Sequence, residues 1–205
     1  MKTKRYYLII TVVIVLVGIF IFQSKVTIIS RVDYCSVGII DGEIDGVESN
    51  RIHEFEKPPL TKNSSHGSEM IDFVSNLCNE YNIYYFDATN DKGIITSEMI
   101  IEGLKQMENV SAKNINLSFS SVFFSQQLQD QIEKSKKNIF SSYNNSQNSQ
   151  DYPAMYQNVI GVGVEQDIKF KNGDISRKNN SLLLNKLYIG NSYLSLEEAI
   201  KSTNK

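Results

Sequence analysis

Between residues 36 and 162 the chain alternates short apolar runs with amphipathic segments of helical period, and that alternation leaves few folds open to it. Residues 36–40 form a nearly apolar run that closes on Asp41, as a strand buried on both faces reads. Residues 67–80 then place Met70, Ile71, Val74, Leu77 and Cys78 at helical spacing, with Glu69 in the first turn, where the helix dipole favours a carboxylate. The pattern repeats, with strands predicted over 83–86, 114–119, 139–143 and 159–162. Helices are predicted over 97–107, entered through Thr96, and over 126–136. Residues 26–29 are a β-prone lead-in. The polar stretch 42–65, with Pro58-Pro59, is predicted as a loop, and residues 152–157 as a turn around Pro153. From 165 to 178 the charged alternation reads as antiparallel edge structure. Strands separated by helices specify βα units, hence an α/β domain with a mainly parallel sheet. Such sheets bind ligands at the C-terminal ends of their strands, and Asp41 and Asn144 both fall there.

The N-terminus obeys a different rule. Residues 6–22 carry no charge and follow Lys2, Lys4 and Arg5. As a helix the run would span roughly 26 Å, close to the hydrocarbon thickness of a bilayer. The basic residues before it, with only Lys25 close after it, predict a cytoplasmic N-terminus. A cleaved signal peptide is the rival, but residues 20–24 lack the small-x-small pattern of a cleavage site. The expected organisation is therefore a cytoplasmic basic tail (1–5), a transmembrane signal-anchor (6–22), a juxtamembrane segment (23–35) and a compact domain (36–205) outside the membrane. Beyond residue 22 the chain holds 18 basic against 23 acidic residues, which argues against nucleic acid as a partner. His53, His66, Cys35 and Cys78 have no zinc-ligand spacing; no metal or cofactor is expected.

Four polar patches punctuate the pattern: Asp41 after the first apolar run, His66-Gly67-Ser68, Ser142-Tyr143-Asn144 and Gly190-Asn191-Ser192. Together they hold a carboxylate, an imidazole, an amide and a hydroxyl, the inventory of an acyl-transfer site. In their order they resemble the subtilisin-like serine proteases. The family's strand ending in Asp is matched at residues 37–43, and its His-Gly-Thr by His66-Gly67-Ser68. Its substrate-flanking Asn-x-Ser-x-Gly is similar to Asn116-Leu117-Ser118-Phe119-Ser120, and its oxyanion segment to Ser141-Ser142-Tyr143-Asn144. The most specific match is Tyr-Pro-Ala-x-Tyr-x-x-Val-Ile-x-Val-Gly at residues 152–163, and Gly190-Asn191-Ser192 resembles the nucleophile motif. The resemblance covers about residues 36–200. It implies a three-layer α/β/α fold with Ser192 as nucleophile, His66 as its base, Asp41 orienting the imidazole and Asn144 donating to the oxyanion. Ser118, Phe119, Ser120 and Tyr143 would touch substrate. That substrate would be a peptide or protein near the membrane surface.

Each residue also has an ordinary reading. Asp41 could close a strand, His66 could begin a helix, and Asn144 could cap a turn in its Asn/Ser-rich stretch. Departures from the family bear on activity. Gly42-Glu43 follow Asp41, Ser120 stands in place of Gly, and Tyr143 stands at what in the family is the floor of the main specificity pocket, where the resemblance implies that a phenol should shrink or block it. After Ser192, Glu197-Glu198 predict a helix that is largely exposed or amphipathic, since carboxylates are not buried without partners. Two functions stand: a membrane-anchored serine endopeptidase, and an inactive relative that keeps the fold as a binding or regulatory module.

Cys35 lies six residues before Asp41 on one strand, so roughly 20 Å below the sheet edge that carries Asp41. Cys78 follows His66 by twelve residues on a helix running back, roughly 18 Å below the same edge. Equal depth on adjoining elements, with an outward-facing domain, predicts a disulfide; two separate buried thiols are the alternative. For the anchor, the expected outcome is a chain that keeps its basic N-terminus and sediments with membranes. N-terminal sequencing of a soluble form that starts near residues 23–25 would refute it.

Overall fold

The computed structural model describes residues 26–44, 52–56, 65–144, 150–164, 170–177, 180–183, 186–188 and 190–203. In chain order the elements are β1 (Val26–Ile28), β2 (Val32–Asp41), β3 (Ile52–Phe55), α1 (His66–Leu77) and β4 (Cys78–Asp87). There follow α2 (Ser97–Met107), β5 (Asn114–Leu117), α3 (Gln126–Lys134), β6 (Asn138–Ser142) and β7 (Val159–Val164). The last are β8 (Ile175–Arg177), β9 (Asn180–Leu183), β10 (Lys186–Tyr188) and α4 (Asn191–Thr203). The main sheet has seven strands in the order β3-β4-β2-β5-β6-β7-β8. Only β3 runs antiparallel to its neighbour; the other pairs are parallel. A small sheet, β1-β9-β10, stands apart from it. The α/β class and the mainly parallel sheet are thus as the sequence predicts.

Hydroxyl caps start three helices. Ser65, Thr96 and Ser125 accept the N–H groups of Ser68, Met99 and Leu128, satisfying donors that the first helical turn leaves open. The strands then sort their side chains by a period of two. Val37 and Ile39 of β2 join Met70, Val74 and Leu77 of α1 and Leu194 and Ile200 of α4 in one core. Ile40, in the opposite phase, joins Leu104 of α2 and Leu128 of α3 in the other. So α1 and α4 cover one face of the sheet, and α2 and α3 the other. Chain order reverses at β2: α1 leads from it to β4 on one side, while β5 flanks it on the other. That makes the carboxyl ends of β2 and β5 a topological switch point, where α/β sheets open a crevice.

Several expectations are corrected. The first helix stops at Leu77 instead of running to residue 80, and Cys78 begins β4 directly. Pairing with β2 over the full length of the strand, from Val32 with Cys78 to Asp41 with Asp87, outweighs the helical spacing there. Within the predicted loop 42–65, Ile52–Phe55 forms an edge strand antiparallel to β4. β8, expected as antiparallel edge structure, pairs parallel with β7. Val26–Ile28, in the stretch read as juxtamembrane, pairs parallel with β9. The expected anchor, residues 6–22, lies outside the described residues; among those, no helix is long and apolar enough to cross a membrane.

Helix α4 departs from its expected exposure. Leu194, Ser195, Leu196, Glu197, Ala199 and Ile200 are buried. Glu197 goes in because it has partners: Lys201 one turn on, and Arg177 of β8 at 3.6 Å. Arg177 also pairs with Glu198. A buried carboxylate is tolerable once cations and hydrogen bonds replace its water.

Cys35 and Cys78 form the predicted disulfide, with Cα atoms 6.0 Å apart and a sequence separation of 43. A loop of that length should add about 4 kcal/mol in the chain-entropy view. Replacing both cysteines by Ala should lower the denaturant midpoint by a matching amount. Equal midpoints for the oxidised protein and the double variant would show that the cross-link does not constrain the unfolded chain.

Candidate active site

β2 delivers Asp41 to the C-terminal edge of the sheet, where the residue is 2 % exposed. Its carboxylate accepts the Gly42 N–H at 2.6 Å and takes His66 Nδ1 on both oxygens, at 3.0 and 2.9 Å. His66 is the first residue of α1, so the Ser65 cap that starts the helix also aims the imidazole. Gly67 makes the approach possible. A Cβ there would lie 2.0 Å from Tyr85 Oη and 2.9 Å from the carbonyl oxygens of Gly42 and Glu43. Only a glycine lets the helix start press against the turn that leaves β2. Tyr85 closes the contact from below, donating to the Gly42 carbonyl. Burial, then the charges of Asp41 and Asp87, raise its pKa well above the ordinary phenol value, which keeps it a donor.

The pKa of His66 is raised above its ordinary 6.5 by the Asp41 hydrogen bond first, against the opposing effect of burial; the charges of Asp41 and Glu69 add to the rise. The pair therefore stabilises the fold below pH 6.5, and that contribution is lost as the pH climbs through the raised value. Glu69 is also a structural link. Its Oε2 accepts the Tyr193 hydroxyl at 2.8 Å, and the Tyr193 ring lies 5.5 Å from that of Phe73. The first turns of α1 and α4 are tied together by this contact.

A polar seam sets the position of α4. Asn114, Asn116 and Ser118 occupy alternate positions on and just after β5, and all three meet α4. Asn114 Nδ2 donates to the Ala199 carbonyl, Ser202 Oγ and Thr203 Oγ1 at 2.6, 2.7 and 2.9 Å. Asn116 Oδ1 accepts Ser195 Oγ at 2.6 Å, while its amide donates to the Ser118 hydroxyl. At the top of the seam, Ser192 Oγ donates to the Ser118 carbonyl at 3.1 Å. Asn191 completes the arrangement: its Nδ2 donates to the carbonyls of Tyr143 and Asn144 at 2.8 and 3.2 Å, and its Oδ1 accepts the Val164 N–H at 3.0 Å.

The structure thus joins Asp41 to His66, Ser192 to Ser118, and Asn144 to the residue preceding Ser192. No hydrogen bond between His66 and Ser192 forms among the described residues. Phe119 and Ser120 line a cavity of about 650 Å³ together with Ile94, Phe124, Tyr152 and Tyr156. Tyr143 is filled in place: its ring lies where a Cβ on Gly161 would come within 2.4 Å, its hydroxyl bonds Asp174, and Phe170 meets it edge-on at 5.2 Å. Lys171 locks that cluster, donating to Asp174 and to the carbonyls of Ala154 and Val159 at 2.6, 2.6 and 2.7 Å.

Compared with models of known protein families and with curated proteins, the chain matches none.

Reading along the chain missed Glu69, Asn114, Asp151, Asp174 and Asn191 as parts of this region. Asn114 and Asn116 carried a signal, since amides at i and i+2 in an otherwise apolar strand demand partners on one face. Replacing Asp41 by Asn should lower the His66 pKa, and Glu69→Gln should lower it less, because the hydrogen bond outranks the distant charge. Proton NMR titration of the imidazole checks both; a larger shift from the Glu69 variant would refute the ordering.

Proposed function

We propose that the chain is a membrane-anchored, subtilisin-like serine endopeptidase of three-layer α/β/α build that cleaves peptide or protein substrates outside the membrane. The observation that carries this reading is the two-oxygen contact between buried Asp41 and His66 Nδ1 at a sheet switch point. That contact fixes the tautomer: with Nδ1–H held, Nε2 is left as the proton acceptor. Ser192 lies in the first turn of α4, whose Tyr193 bonds Glu69 of α1, the helix that His66 begins.

In the proposed mechanism, Ser192 Oγ leaves the Ser118 carbonyl by a side-chain rotation, gives its proton to His66 Nε2 and attacks the scissile carbonyl. The Ser118 carbonyl is thereby released to accept a substrate N–H. Asn144 donates to the developing oxyanion, and His66, now an imidazolium held by Asp41, returns the proton to the leaving amine. Apo structures often hold such hydrogen bonds in looser or alternative states. Residues 118–120 would flank the substrate backbone. Tyr143 fills the main specificity pocket, which restricts the residue before the scissile bond to a small side chain.

The second reading is an inactive relative that binds peptide, favoured by the filled Tyr143 pocket and by the Ser192 hydroxyl resting on Ser118. A fluorophosphonate probe separates the two. The proposed enzyme is labelled at Ser192, loses labelling in Ser192→Ala, and is slowed by about 10³–10⁴-fold in Asp41→Asn. A folded chain that resists the probe at every pH between 6 and 9 refutes the hydrolase and leaves the binding module.

A further inference from the structure

Asp151 is 4 % exposed and belongs to neither the Asp41–His66 pair nor the Tyr143 cluster. Its carboxylate accepts the backbone N–H of Asn144. The Ser120 hydroxyl lies close enough to favour its ionised form. Backbone bonds between Ser121 and Tyr152, at 2.7 and 2.8 Å, hold the neighbouring chain against the segment after β5 that carries Ser118 and Ser120. On its other side the Asn144 carbonyl accepts Asn191 Nδ2 at 3.2 Å. Both backbone polar groups of Asn144 are therefore engaged, the N–H by Asp151 and the carbonyl by the residue before Ser192.

We propose that Asp151 is a positioning residue for the oxyanion step, its carboxylate gripping the Asn144 backbone so that the Asn144 side chain is held in register with Ser192. The proposal rests on the hydrolase reading. Contacts run in a chain from Ser118 to Ser192, to Asn191, to Asn144, to Asp151 and to Ser120, which lies two residues from Ser118. Opening it at Asp151 removes the bond to the Asn144 N–H, a group that Asn191 does not reach. Preorganised donors act because they need no rearrangement as charge develops, so a loosened Asn144 should slow the chemical step more than substrate binding.

The burial of this carboxylate has a cost that a merely structural link would avoid. Among the described residues Asp151 has no cationic partner; the titratable groups that face it are the Tyr143 phenol at the end of β6, with Asp174 and Lys171 paired behind it. Burial, against the Asn144 N–H and Ser120, pushes its pKa up from 3.8 to about 6. The folded state therefore prefers the protonated form, and stability falls as the pH rises from 3.8 to about 6. The ionised form, needed as the charged acceptor for Asn144, is held at the expense of stability.

Asp151→Asn in the full-length chain tests this. At pH 7.5 the variant should melt no lower than wild type, since no charge is buried, yet react with the fluorophosphonate about tenfold more slowly. That is part of the ~100-fold or more that follows outright loss of an oxyanion donor. On a small ester substrate the loss should fall on kcat and spare KM. The wild-type acid limb should need two deprotonations, His66 and Asp151, and the variant's only one. In wild type the Asn144 amide resonance should titrate with Asp151, and in the variant it should not. A labelled wild type whose variant reacts equally fast, or keeps a two-proton limb, overturns the role of Asp151 and leaves the hydrolase standing. A variant that is slow only because it melts lower overturns the role as well. An unlabelled wild type overturns the hydrolase and the oxyanion role with it, whatever the Asn144 amide does.

Discussion

Two amides on a buried strand govern how this protein is assembled. Asn114 and Asn116 are 2 % and 0 % exposed on β5, and a buried amide without partners costs about 1–3 kcal/mol for each group left unmet. Asn138 and Ser118 meet part of this demand, and α4 meets the rest. It does so with residues spaced four apart along the helix, Ser195, Ala199 and Thr203, and Ser192, three residues before Ser195, bonds the Ser118 carbonyl just beyond the strand. An apolar strand would accept that helix at several rotations and offsets, because hydrophobic contact is not directional. A ladder of amides and hydroxyls accepts it at one. The position of Ser192 follows from that register, several turns away from the deepest bond.

The same logic of obligatory partners runs through the rest of the region. Asp41 is satisfied by Gly42 N–H and His66; Asp174 by Tyr143, Lys171 and the Gly161 N–H; Glu197 by Lys201 and Arg177. Asp151 and Asp87 are buried carboxylates with hydrogen bonds but no cation among the described residues. The Ser121–Tyr152 backbone pair on one side and the Asn191 amide on the other fix the surroundings of Asp151. In the Tyr143 cluster the hydroxyl bonds Asp174 and the ring packs against Gly161 and Phe170.

Much of the architecture was legible in residue order because local periodicity and the layers agree. Residues 36–41 had to be a strand buried on both faces, and the cores on either side of Val37, Ile39 and Ile40 show why alternation of polarity is missing there. The errors cluster where long-range pairing overrides local pattern. Cys78 sits at helical spacing but is extended, because the β2 ladder captures it. Ile52–Phe55 lies in a polar, proline-containing stretch and becomes a strand only because β4 presents an open edge. Glu197 looked too costly to bury, and its partner Arg177 is twenty residues distant in sequence.

By itself the amino-acid order determined the α/β class and the equal depth of Cys35 and Cys78, since each follows from spacing within or between adjoining elements. It also carried the amide signal of Asn114 and Asn116, though not its target. Tertiary structure alone decided which element answers those amides, that Asp41 meets His66 through both oxygens, that Ser192 rests on Ser118, and that Asp151 grips Asn144. The reason is physical. Periodicity encodes which face of an element is buried, whereas directional bonds between distant elements depend on the angle and offset at which those faces meet, and no local pattern records either.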